Sequence, residues 1–134
     1  MEGLWHWIPG KSIGPFSFGD WADPYIRDYD LQKRPPACSE ADWETYELPG
    51  FDSWIIVEGG RLIEVHCVDS VEYMGKDLLG LAVSEIRGLL GSEEKKEDNV
   101  GLGYALYYDN LGLTLFFVNG VVSAAACGEI LPDE

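Results

Sequence analysis

Two stretches, 53–67 and 113–127, carry the clearest pattern of apolar and polar positions, and a two-residue turn signal splits each. In the first, Trp54-Ile55-Ile56-Val57-Glu58 meets Gly59-Gly60 and leaves through Arg61-Leu62-Ile63-Glu64-Val65-His66-Cys67. In the second, Thr114-Leu115-Phe116-Phe117-Val118 meets Asn119-Gly120 and leaves through Val121-Val122-Ser123-Ala124-Ala125-Ala126-Cys127. Runs of this length and composition, joined by dipeptides that accept positive φ, predict two tight antiparallel hairpins. An offset of 60 lays Gly60 on Gly120 and Cys67 on Cys127; upstream, an offset of 61 lays Phe18-Gly19 on Leu79-Gly80, Tyr25 on Ile86 and Tyr29 on Leu90. The order of elements thus repeats over nearly the whole chain, predicting one domain, 1–134, built from pseudo-repeats 10–74 and 75–134.

Each unit reads alike. A strand or turn ending in glycine (12–19; 76–80) leads into a short helix (23–31; 82–90), and a variable loop follows (32–39, with Pro35-Pro36; the charged 92–99). Three strands close the unit, at 43–48, 53–58 and 61–67, then at 104–108, 113–118 and 121–127. Asp23-Pro24 is a helix-start signal, Asp accepting free amides and Pro fitting the first turn. Val83, Ile86, Leu89 and Leu90 share a helical face, and Gly91 is placed to end that helix. The predicted fold class is α+β, two tandem strand-helix-three-strand units forming a mostly antiparallel sheet of six to eight strands with short helices on one face. Period two points Ile55, Val57, Ile63, Val65 and Cys67 toward the helices, with Leu115, Phe117, Ala125 and Cys127. The opposite face receives Trp54, Ile56, Leu62, Glu64 and His66, with Thr114, Phe116, Val118, Val122, Ala124 and Ala126. That face is too apolar for open water, and a cover is expected: the chain's own segment 5–7, a second subunit, or a partner.

Charge changes the picture most. The 134 residues carry 24 acids against 9 bases, a net charge of −15, on a body that is 46% hydrophobic and 13% aromatic. Such a chain buries a real core rather than forming an acidic disordered tail. It lacks the Lys and Arg clusters that nucleic acid or an anionic membrane surface requires, so the expected partner is a basic protein, with the chain itself a monomer or homodimer. Cys38, Cys67 and Cys127 are an odd number without close spacing, no basic-then-apolar leader opens the chain, and no run approaches the ~18 apolar residues of a membrane span. Reduced thiols and a cytoplasmic location follow as expectations.

Catalytic chemistry finds little to build on. His6 and His66 are the only histidines, and His66 and Cys67, adjacent on a strand, point to opposite faces and cannot form a dyad. No paired-cysteine, helical histidine-pair, calcium-loop or phosphate-cradling spacing is present, so no catalytic residue, metal or cofactor is expected and the chain reads as a non-enzyme. One stretch stands out. Between 39 and 54 lie Glu40, Asp42, Glu44, Glu47 and Asp52 without a base, interleaved with Trp43, Tyr46, Phe51 and Trp54. Aromatics supply rigid contact area and acids supply sign, so Trp43, Trp54, Tyr46, Glu40, Asp42, Glu44, Glu47 and Asp52 form the expected partner-binding surface. The competing reading is a strand with its aromatics in the core and its acids in water. The alternative function is a small-ligand or enzymatic domain, its cavity between sheet and helices and lined by Glu64, His66 and Tyr104.

The opening segment Pro9-Gly10-Lys11-Ser12-Ile13-Gly14-Pro15-Phe16-Ser17-Phe18-Gly19 resembles that of small bacterial domains in which a glycine-ended strand leads into a helix and an antiparallel sheet. The repeated helix-plus-strands unit is similar to the tandem architecture of the β-lactamase inhibitor protein and to single-unit assembly lipoproteins of the BamE type, without their disulfides or lipidated cysteine. Size, acidity and aromatic richness resemble immunity proteins of bacterial toxin systems. That resemblance implies an inhibitor that blocks a cognate toxin, and no site residues carry over from it.

Overall fold

A computed structural model describes residues 5–34, 43–100 and 102–130. In chain order it contains β1 (Trp7–Ile8), β2 (Ser12–Ile13), β3 (Phe16–Ser17), α1 (Asp23–Asp28), β4 (Gln32–Lys33), β5 (Trp43–Glu47), β6 (Trp54–Glu58) and β7 (Arg61–Cys67). There follow β8 (Glu72–Tyr73), β9 (Lys76–Asp77), α2 (Val83–Leu90), β10 (Lys95–Val100), β11 (Gly103–Tyr108), a 3-10 turn (Asp109–Leu111), β12 (Leu113–Val118) and β13 (Val121–Gly128). Eight strands form one sheet in the order β10-β11-β12-β13-β7-β6-β5-β4, every neighbouring pair antiparallel. The mostly antiparallel sheet with two short helices is therefore the observed architecture.

Both hairpin turns form as the sequence predicts: Gly59 and Gly60 take φ of 60° and 81°, Asn119 and Gly120 take 55° and 81°. Paired positive φ matches the twist of the flanking strands, and Asn and Gly tolerate it best. Each hairpin also holds a bulge, where the register shifts between Ile56 and Val57 and between Phe116 and Phe117. The extra residue reverses the alternation beyond it. Leu62 and Val122, expected on the second face, are consequently buried in the core, while Ile63, expected in the core, is only half-buried.

The core lies on one side of the sheet. Ile55, Val57, Val65, Cys67, Leu115, Phe117, Ala125 and Cys127 pack with Ile86 of α2, with Trp7, Ile13 and Phe16 from the short β segments, and with Val71 and Leu78, which flank β8 and β9. Trp7 is buried with its ring 5.2 Å from that of Tyr73, and Trp5 meets Phe51 edge-on at 5.3 Å. Segment 5–7, offered above as a cover for the second face, thus belongs to the core layer instead.

Other departures have local causes. Helix α1 stops at Asp28, because Asp30 turns to φ 53° and Leu31 is drawn into the core ahead of β4. Asp23 does not cap it; Ala22 holds the cap position without a side-chain hydrogen bond. In α2, Ile86 is buried and Gly91 ends the helix as expected, its N–H reaching the Arg87 carbonyl, but Leu89 is exposed. The charged stretch expected as a loop at 92–99 contains an edge strand, β10, whose lysines and acids guard an unpaired rim.

Candidate protein-binding surface

Directly opposed residues of an antiparallel ladder share a face, so the pairings trace a row across the sheet away from the core: Tyr107, Thr114, Ala126, His66, Trp54 and Glu47. The row is lopsided about the central β13–β7 seam: the two positions nearest it are the His66 and Trp54 rings on one side and the small Ala126 and Thr114 on the other, with Tyr107 only beyond them. The Trp54 and His66 rings stack at 4.2 Å and 9°, and the imidazole in turn lies 5.3 Å and 19° from Phe116. Phe116 sits two strands from His66, and only small side chains on β13, Ala124 and Ala126, separate them, so the rings meet above the alanines. The Arg34 guanidinium caps the other end, 5.1 Å from the Trp54 ring centre.

Burial among these rings lowers the pKa of His66, so the ring is neutral at pH 7. The unfolded chain takes up a proton near 6.5 that the native ring resists. Stability from this group is thus full above 6.5 and falls as the pH drops toward the lowered native value. In His66→Phe, which keeps the stack and removes the titration, the thermal midpoint should decline less than in the parent between pH 7 and about 5. Calorimetry of both proteins across that range checks this. Glu64, whose pKa burial raises, opposes His66 in sign and is common to both proteins.

Toward the Glu58 end of β6 the face opens into a cavity of about 930 Å³. Its floor includes Ile63, Thr114 and Ala126, and the small row residues leave room that Trp54 and His66 fill on the other side. Five carboxylates stand around it: Glu58, Glu64, Glu94, Asp109 and Glu129, each from a separate segment, with no Lys, Arg or His in the lining among the described residues. Among the described residues none of the five takes part in an ion pair.

The acidic–aromatic stretch singled out in the sequence is divided by the fold. Glu40 and Asp42 lie outside the described residues. Trp43, Glu47 and Trp54 share the open face, whereas Glu44 and Tyr46 point to the helix side. There Glu44 takes a hydrogen bond from Lys33 Nζ at 2.8 Å, the main reason its pKa is lowered, and a second from the Tyr46 hydroxyl at 3.1 Å. Glu47 pairs with Arg34. Asp52 sits in the loop before β6, at the opposite end from the cavity, its N–H donating to the Asp69 carboxylate at 3.1 Å. Of the expected surface, then, Trp54 and Glu47 stand opposite each other and Trp43 shares their face at the far end of β5, opposite Glu58, and two of its acids are already matched by the chain's own bases. Of the alternative trio, Glu64 and His66 share the open face, while Tyr104 stacks on Phe117 at 4.8 Å on the core side.

The five cavity acids escaped sequence reasoning because no local spacing joins them. The available signal was the swap of Trp54 and His66 for Thr114 and Ala126 at an offset of 60, which marks where a shared face must be hollow. Comparison with known proteins yields no match to a family model, a curated protein or a solved structure.

Proposed function

We propose that this protein is a non-enzymatic binding protein that sequesters a basic protein partner, as an immunity protein sequesters its toxin. The observation that carries this reading is the open sheet face, where stacked aromatics run into a cavity walled by five carboxylates, with no base in its lining among the described residues. Rings supply contact area at low entropic cost, and a net −15 steers cations toward it. The same charge repels phosphate backbones and anionic lipid, and it disfavours covering the face with a second copy, so the free protein is monomeric. The reading places the complex in a bacterial cytoplasm, where the free buried thiols of Cys67 and Cys127 remain reduced. The product of the adjacent gene is the first partner to test. Mixed in purified form, the two should associate at a rate that falls steeply with salt. Absence of a complex at micromolar concentration and low salt would overturn the reading.

Two diverged copies of one unit account for this face, and several geometric coincidences support that origin. Strands β4-β5-β6-β7 and β10-β11-β12-β13 are both meanders, and the two bulges stand 60 residues apart. The Gly19 N–H bonds the Leu62 carbonyl at 2.7 Å, and the Gly80 N–H bonds that of Val122 at 2.8 Å. Leu62 N–H returns to Asp20, and Val122 N–H to Leu81. Duplication supplies two equivalent half-faces; substitution then places Trp54 and His66 in one where the other has Thr114 and Ala126, and the second half is hollow there.

A further inference from the structure

We infer that the open face recognises an extended basic segment of the partner in which an aromatic or large aliphatic side chain stands two positions from an arginine or lysine. This rests on the function proposed above and names the recognition element. The inference starts from the placement of His66 and Glu64. They lie two apart on β7, on one face, so their side chains stand about 7 Å apart along the strand. His66 is the middle ring of the stack, and Glu64 lines the cavity. An extended segment lying over β7 has the same two-residue repeat. One side chain can then rest on the rings while the next on that face enters the cavity.

Chemistry fixes which goes where. The stack already carries its own cation, Arg34, and His66 is neutral, so that end offers apolar area and little net charge. The cavity has only carboxylates for charged lining, and Glu64, half-buried and bearing no ion pair, has a pKa raised by desolvation. A cation arriving beside Glu64 restores what burial removed, and the apolar floor of Ile63 and Ala126 accommodates the methylene stem of Arg or Lys. An acidic or neutral segment gains nothing there, and a second copy of this chain would bring −15 against −15.

The test uses the whole protein and short synthetic peptides at up to millimolar concentration, followed by methyl and amide NMR. Ac-Gly-Trp-Ser-Arg-Gly-NH2 should give saturable shifts at Thr114, Ala126 and Ile56. The Glu analogue Ac-Gly-Trp-Ser-Glu-Gly-NH2 should give none, and Ac-Gly-Ala-Ser-Arg-Gly-NH2 should bind at least tenfold more weakly than the first. Glu58→Gln combined with Glu64→Gln should abolish saturation by the first peptide while leaving the fold's remaining shifts in place. Equal binding of the Arg and Glu peptides, shifts scattered over the acidic surface, or no saturable shift would each overturn the inference. If the adjacent-gene product still binds in that event, the proposed function stands and only the recognition element is wrong; if it too fails, both fall.

Discussion

Phe117→Ala is expected to cost about 3–5 kcal/mol of folding stability, whereas Phe116→Ala, one residue away, should cost about 1 kcal/mol. Phe117 is 1% exposed, lies in the core and stacks on Tyr104 at 4.8 Å, so truncation leaves a cavity that the sheet cannot close. Phe116 is half-buried on the opposite face, where solvent or the neighbouring rings can take up the space. Denaturant unfolding of the two variants provides the comparison. Loss of three or more kcal/mol is a large fraction of a small domain's stability, so Phe117→Ala should be marginally folded. Similar costs at the two positions would contradict the division of the sheet into a core face and an open face.

Trp54→Ala should weaken binding of the proposed basic partner by ~2 kcal/mol or more, about thirtyfold, chiefly through faster dissociation. Trp54 joins the Arg34 cation to the His66 ring, and its removal takes away the indole that links them. Being half-buried, it should cost less stability than Phe117. Neutralising Glu58 and Glu64 should act on both rates: association slows and loses salt dependence, and dissociation also quickens because Glu64 is the half-buried carboxylate that receives the partner's cation. Surface-plasmon kinetics at two salt concentrations separate these effects. An unchanged dissociation rate in Trp54→Ala would remove the stack from the interface.

Much of the fold was legible because it rests on local signals. Gly59-Gly60 and Asn119-Gly120 name their turns, and the runs beside them name their strands. The bulges were not legible, since an extra residue in a strand leaves the composition unchanged; one slip moved Leu62 into the core and Ile63 out of it. Strand β10 was read as a loop because its charges suit an edge, and edges are where charges are placed. Of the candidate surface, only the placement of some residues on one face was legible. Trp54 was singled out, and the apolar second face was recognised as needing a cover. Glu44 and Glu47 looked like free acids because the bases that match them, Lys33 and Arg34, come from β4 and the residue after it, across a connection of unpredicted path. The cavity itself is a property of cross-strand pairing, which brings Thr114, Ala126 and Glu64 together from three strands.

Methyl NMR of the protein titrated with the purified product of the adjacent gene tests most directly whether the open face is the binding surface. Each face has its own reporters: Ile56, Thr114, Ala124 and Ala126 on the open side, and Ile55, Val65, Leu115 and Ile86 in the core. The expected result is large, saturable shifts confined to the first set, with the core methyls nearly unmoved. Shifts concentrated around α1, α2 or the core methyls, with the open-face methyls unchanged, would contradict it.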